Sequence, residues 1–205
     1  MTTGTPLEPL SVALAATEHL VAGVRDDQWH NPTPCENWTV HDLINHLVGG
    51  NRLFAGVLRG GPSPTAADRS RLQGIDHLGS DAAEAYRTSS ADLVAAFAEP
   101  GVMERVVTVP AGTLPGIAAL HLRTVEALVH GWDLAQATAQ PVRFPDALVE
   151  QELAFTRRQL GNLPPAPAGQ GPFAPPQPVD EQAPAIDRLV ACLGRRVPTG
   201  QPAGG

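Results

Sequence analysis

The stretch RTVEALVHGWDLAQAT, residues 123–138, decides how the chain is read. Arg123, Glu126, His130, Asp133 and Ala137 recur at spacings of three, four, three and four, the period of a helical seam that faces a partner helix. Such a seam is ordinarily Leu, Val or Ile, yet four successive positions here are ionisable. Burying four such groups to no purpose costs on the order of several kcal/mol each. A divalent cation, or a polar cleft holding water, accounts for them at least cost. Glu126 and His130 stand four apart, so on a helix they share one face and can grip one ion. From spacing alone a second reading stays open. Leu120, Val125, Leu128, Val129, Trp132 and Leu134 cover other sides of the helix, and the ionisable stripe could equally be its solvated face.

Outward from this stretch, a third ligand type appears in WTVHDLINHLVGG, residues 38–50. Leu43, His46, Leu47, Gly50 and Leu53/Phe54 repeat at helical spacing, which places His46 on an apolar face. A lone histidine there is also readable as a satisfied core residue. Together with Glu126 and His130 it makes two imidazoles and one carboxylate, the protein ligand set of many catalytic zinc sites, which keep one position open for water or substrate. Thr39 is the N-cap candidate of this helix, with Asp42 at the third helical position as a variant capping box. Trp38, just ahead of the cap, suits the apolar staple position. Asp42 lies one turn before His46 and is carried both as a cap and as a residue behind the site.

The rest of the chain reads as further helices. The first is expected from about Leu7 to Arg25, followed by the loop DDQWHNPTPCENW, punctuated by Pro32 and Pro34. The second runs from the Thr39 cap to about Leu58. Residues 60–80 read as a crossover loop, and a third helix is expected from about Ser80 to Ala98. VMERVVTVPAGTLPG is rich in β-branched residues and turn formers and predicts a short extended excursion. The fourth helix begins between Leu114 and Ile117 and ends near Thr138, with Pro115 in its first turn and Pro141 just beyond its end. A fifth is expected from about Pro145 to Leu160. Residues 161–184 are dense in Pro and Gly and read as an extended strap anchored by Phe173 and Val179, followed by a short helix at about 184–194 and a frayed tail. The whole is taken as one domain over 1–205 with its core at about 7–160.

Composition excludes several function classes. The net charge is −7 with a pI near 5.4, and all 14 basic residues are Arg. No basic cluster supports nucleic-acid binding. No apolar run approaches a membrane span, and the N-terminus MTTGTPLEPL lacks the features of a signal peptide. Cys35 and Cys192 do not suggest a disulfide framework. A cytoplasmic protein is the expectation. Cys35 is read as a small packed thiol ahead of a helix start, and His41 and His121 as exposed.

Two longer words, TPCENWTVHDLINHLVGG and RTVEALVHGWDLAQATAQP, resemble the signature stretches of the mycothiol-dependent maleylpyruvate isomerase N-terminal family, within the DinB-like (YfiT-like) metalloenzyme superfamily. The closing FAPPQPVDEQAPAIDRLVACLGRRV is similar to the ending of a single-domain, actinobacterial branch. The resemblance implies an all-α, up-down-down-up four-helix bundle, here with extra C-terminal helices and the Pro-rich strap. It implies metal ligation by His46, Glu126 and His130. In many superfamily members all three ligands are His; the middle Glu is the pattern of the mycothiol-dependent isomerase. That isomerase has a C-terminal domain that contributes to catalysis and for which these 205 residues leave no room. Maleylpyruvate isomerisation itself is therefore not the expected activity.

The expectation is a divalent-metal enzyme that activates a small thiol of the mycothiol type, or water, for transfer to an electrophilic small molecule. Zn is the first choice of metal, with Ni, Fe, Co or Mn able to occupy the same ligands. Arg123, one turn before Glu126, is read either as a bidentate clamp for a substrate carboxylate or as a salt-bridge partner within the bundle. Asp133 is read as a partner that orients a ligand, or as a helix–helix hydrogen bond. The alternatives are a non-catalytic metal-binding or stress-response bundle, and a structural bundle with an empty site. Partners are a small-molecule substrate and a low-molecular-weight thiol, with no nucleic acid and no membrane. A monomer and a homodimer are both compatible.

Overall fold

Four helices build the bundle, and their mutual direction follows from the side chains that tie them. The computed structural model describes residues 5–63, 74–110, 112–161 and 174–198. It divides into two compact units, Met1–Arg143 and Phe144–Gly205. In the first unit, α1 spans Glu8–Ala22, α2 Val40–Leu58, α3 Ala82–Phe97, β1 Val106–Val109, β2 Gly112–Pro115 and α4 Gly116–Thr138. Thr17 of α1 donates to the Ala127 carbonyl of α4, and Gln140 just past α4 donates to the Leu20 carbonyl. The two helices therefore run the same way. Asn51 of α2 reaches Ser89 and Ser90 of α3, and Arg59 reaches Asp92 and then Glu99, so α2 and α3 are also parallel. Between α2 and α4 the pairing reverses: His46 meets Glu126 while Asn51, further along α2, meets Arg123, one turn earlier in α4, so these two helices are antiparallel. This is the up-down-down-up bundle that the family resemblance implied.

Apolar side chains fill the space between the helices. Leu10 and Leu14 of α1, Leu43, Ile44, Leu47 and Leu58 of α2, Leu93 and Phe97 of α3, and Leu120, Leu128 and Leu134 of α4 are all buried. Burying each contributes about 1.5–3 kcal/mol relative to exposure. The fourth helix is buried nearly all round, so its polar residues share the interior with this core. The expected excursion before α4 is an antiparallel hairpin, β1 on β2, with Val107 and Val109 turned inward. Pro115 is the N-cap of α4 rather than a residue of its first turn.

The start of α2 is fixed by the predicted box. Thr39 Oγ1 accepts from the Asp42 N–H, and Asp42 Oδ2 accepts from the Thr39 N–H at 2.9 Å. This pair also pulls the Asp42 carboxyl below its usual range, the Thr39 hydroxyl being the main cause. Ahead of it, residues 26–39 fold back as a tight loop. Asp26–Gln28 form one 3₁₀ turn, Pro32 bridges Thr39, and Val40 N–H donates to the Asn31 carbonyl. Asn37 sits at φ 65°, a left-handed conformation that Asn tolerates better than most residues. Two side chains strap this loop to the end of α4: Gln28 donates to the Thr138 carbonyl and Asn31 to the Ala137 carbonyl, each at 2.9 Å. These bonds use the carbonyls that the end of a helix leaves unpaired.

The second unit contains α5, Asp146–Gly161, and α6, Ala185–Cys192. Leu148, Val149 and Leu153 of α5 and Leu189 and Val190 of α6 are buried, and the Arg188 guanidinium pairs with Glu150. The visible part of the strap lies along α6, with the Gln177 N–H donating to the Ala191 carbonyl and Val179 half-buried. The other proposed anchor, Phe173, the strap over 162–173, the tail beyond 198 and residues 64–73 of the crossover lie outside the described residues. The first helix is shorter than expected at both ends, since the chain already turns at Gly23. No described helix is long and apolar enough to cross a membrane.

The cap is the local device that sets where α2 begins and hence where His46 lies. Thr39→Ala is expected to lower stability by about 1 kcal/mol, read as a lower urea midpoint at unchanged slope. An unchanged midpoint would show that the cap contributes nothing.

Candidate metal centre

His46 enters from the second turn of α2, and Glu126 and His130 from adjacent turns of α4. His46 Nε2 stands 3.2 Å from Glu126 Oε2, and His130 Nε2 stands 3.5 Å from the same oxygen. One donor atom from each of the three residues lies within 4.8 Å of the others. The edge of a tetrahedron with metal–ligand bonds of about 2.0–2.1 Å is about 3.3–3.4 Å, so the two measured separations fit donor atoms arranged about one small cation. The three side chains are open to solvent to different degrees: 32% for His46, 24% for Glu126 and 9% for His130. The group is therefore reachable from outside on the His46 side and enclosed on the His130 side.

Behind His130 lies Asp133, fully buried, with Oδ2 at 3.0 Å from His130 Nδ1. A carboxylate only accepts, so Nδ1 carries the proton, and with the imidazole neutral Nε2 keeps its lone pair on the Glu126 side. A carboxylate placed this way fixes the orientation of the imidazole; of the two readings of Asp133, the recorded partner is His130 on its own helix. Cys35 also reaches this carboxylate. Its Sγ donates to Asp133 Oδ2 at 3.2 Å and stands 3.7 Å from His130 Nδ1. Cys35, His130 and Asp133 thus form a second group with ligand-like spacing, sharing His130 with the first. The loop straps at Gln28 and Asn31 pack this thiol at the edge of the cluster, a placement that the spacing of the loop does not show. The Trp38 ring, just ahead of the cap, packs 4.7 Å from the His46 ring and 6.0 Å from that of His130, forming an aromatic wall beside both.

Arg123 does not serve as a clamp for an incoming carboxylate, because it is only 2% exposed. Its Nη2 donates to Asn51 Oδ1 at 2.7 Å, its Nη1 lies 3.7 Å from Glu126 Oε2, and its Cζ sits 5.1 Å from the Phe54 ring centroid. Gly50 provides the room, since a Cβ there would come within 2.8 Å of Nη1. Asp42 stays in the cap, 52% exposed, and does not join the cluster. His41 and His121 are half-buried rather than exposed.

The electrostatics follow from this packing. For His130, burial disfavours the charged imidazolium, but hydrogen bonds with Asp133, Cys35 and Glu126 outweigh it and hold the proton well above the ordinary range. For Glu126, burial pushes the carboxyl up, and the two imidazoles override this and hold it well below its ordinary value. His46 is lowered, chiefly by burial. Burial likewise pulls the Arg123 guanidinium down, with Glu126 opposing.

A four-helix bundle with a His–Glu–His cluster drawn from two antiparallel helices defines a class of candidate metal proteins. Residues 10–135 match the family described as the mycothiol maleylpyruvate isomerase N-terminal domain, and the chain belongs to that family. Two relatives from Mycobacterium tuberculosis, "Uncharacterized protein MT0763" of strain CDC 1551 and "Uncharacterized protein Rv0738" of strain H37Rv, are each 38% identical over 193 residues, covering 94% of this chain and 98% of theirs. The fold is similar to the crystal structure of the mycothiol-dependent maleylpyruvate isomerase, with a TM-score of 0.60 at 18% identity over 75% of this chain and 71% of that one. A histidine-to-alanine mutant of that enzyme gives the same figures. At this identity the likeness speaks for the fold.

The raised His130 value has a stability consequence in metal-free protein. The folded value lies above the unfolded one of about 6.5, so the contribution is complete below about pH 6.5 and is lost as pH rises through the folded value. Urea midpoints of chelator-treated protein are expected to fall from pH 6.5 upward, and Asp133→Asn to be less stable at pH 6 with a flatter profile. Equal slopes for the two proteins would contradict the pairing.

Proposed function

We propose that the chain is a divalent-metal enzyme that transfers a small thiol, of the mycothiol type, to an electrophilic small molecule. The observation that carries this reading is the convergence of His46 Nε2, Glu126 Oε2 and His130 Nε2 from two helices onto one partly open point. The family and the fold of the mycothiol-dependent isomerase support the choice of thiol. His46, Glu126 and His130 would hold the cation, with Zn²⁺ the first choice for this N/O donor set. When bound, such a cation supplies Lewis acidity that favours the deprotonated form of a thiol or water at its open position.

The chain's own residues do the rest. Asp133 holds the Nδ1 proton of His130 and so presents Nε2 in the ligating tautomer. Trp38 covers one side of both imidazoles and limits the approach of water there. The partial exposure of His46 and Glu126 leaves the route by which two small reactants enter.

Protein purified without added metal is expected to carry about one divalent ion per chain by elemental analysis. His46→Ala and His130→Ala should weaken metal affinity by more than about 100-fold, beyond the 10–100-fold typical of a lost outer partner. Consumption of mycothiol with a panel of electrophiles should vanish on chelation and return with metal. Stoichiometric metal with no thiol turnover on any electrophile would favour a non-catalytic metal-binding bundle, and absence of metal would remove the reading altogether.

A further inference from the structure

Arg123 is a buried cation placed directly behind a candidate ligand. It is 2% exposed, yet its guanidinium is only partly satisfied: Nη2 donates to Asn51, Nη1 stands 3.7 Å from Glu126 Oε2, and Nε has no hydrogen-bond partner. Such a group is costly to bury and is retained only where the surroundings compensate it. The surroundings here are built for it. Gly50 leaves the space the guanidinium occupies, Phe54 offers a ring face, and Asn51 is itself held by the Ser89 and Ser90 hydroxyls. Among the described residues, Glu126 is the carboxylate that opposes the cost of burying the Arg123 charge, with the Tyr86 hydroxyl also acting on it.

The charge balance of the centre follows. The carboxylates of Glu126 and Asp133 together offset a divalent cation, while neutral His46 and His130 add nothing. Arg123 then leaves one positive charge over, shielded from water and 3.7 Å from the Glu126 oxygen that faces both imidazoles. In a low-dielectric surround such a fixed charge acts at longer range than it would in solvent. Resting on the metal reading above, we propose that Arg123 is a specificity-determining residue which, without touching the incoming ligand, makes the open position select an anion over a neutral molecule of similar size. The ligand class is thus a thiolate or another small anion. Arg123 contributes by charge, and by holding Glu126 in place, rather than by direct contact.

The test uses full-length protein loaded with Co²⁺, whose visible spectrum reports exogenous ligands, titrated at pH 8 with azide as the anionic probe and imidazole as the neutral one. Wild type should bind azide. Arg123→Met should weaken azide by at least about 10-fold while imidazole affinity stays within about 3-fold, and Arg123→Lys should restore most of the azide binding. Asn51→Asp keeps the guanidinium and adds a compensating negative charge beside it, so it should reproduce the Arg123→Met pattern even if the latter fails to fold. Equal weakening of both probes, or none, in a folded variant would overturn the inference while leaving the metal site standing. Failure of wild type to take up Co²⁺ at all would overturn the metal reading, and this inference with it, before any probe is added.

Discussion

Everything at the centre depends on the antiparallel contact between α2 and α4. Because the two helices run in opposite directions, the turn of α2 that carries His46 faces the turns of α4 that carry Glu126 and His130, and the next turn of α2, with Gly50 and Asn51, faces Arg123. A parallel pairing at His46 would carry Asn51 about two turns away from Arg123. The contact is polar at its heart, with an apolar core on the surrounding faces. Such a seam is tolerable only because each charged group has an opposite charge or a hydrogen-bonding partner beside it. In the metal-free chain Glu126 plays the central part, with an imidazole on each side and the guanidinium behind.

Much of this was legible from residues. The three-four-three-four spacing from Arg123 to Asp133 placed four ionisable groups on one helical face, and the choice between a solvated stripe and an interior seam fell to the interior: Arg123, His130 and Asp133 are buried. The period of α2 put His46 on the face that meets α4. The Thr39–Asp42 box gave the start of α2 to the residue, since a cap is a local hydrogen-bonding device that depends on little beyond its own four residues. Spacing within a helix is set by backbone geometry, so it survives whatever the tertiary structure does.

Other features depended on long-range contacts that carry no periodic signal. Cys35 and Trp38 occupy a proline-punctuated loop, and nothing in its spacing says which helix it will fold onto. The answer lies in Gln28 and Asn31, whose side chains take the terminal carbonyls of α4 more than 100 residues away. With the loop anchored there, Cys35 meets Asp133 and Trp38 meets both imidazoles. Arg123 was ambiguous for a related reason. Whether an arginine on a seam reaches outward or lies inward depends on the room opposite, and that room exists because residue 50 is glycine.

His130 stands between two ligand-like groups, one with His46 and Glu126 on its Nε2 side and one with Cys35 and Asp133 on its Nδ1 side. The hydrogen bond between Nδ1 and Asp133 gives the first group the free lone pair. X-ray absorption at the metal edge of the loaded protein separates them directly, because sulphur scatters more strongly, and from farther out, than nitrogen or oxygen. A first shell of two imidazole nitrogens and carboxylate oxygen without sulphur is expected. A sulphur neighbour at about 2.3 Å would place the cation on Cys35 and contradict the assignment of His46, Glu126 and His130.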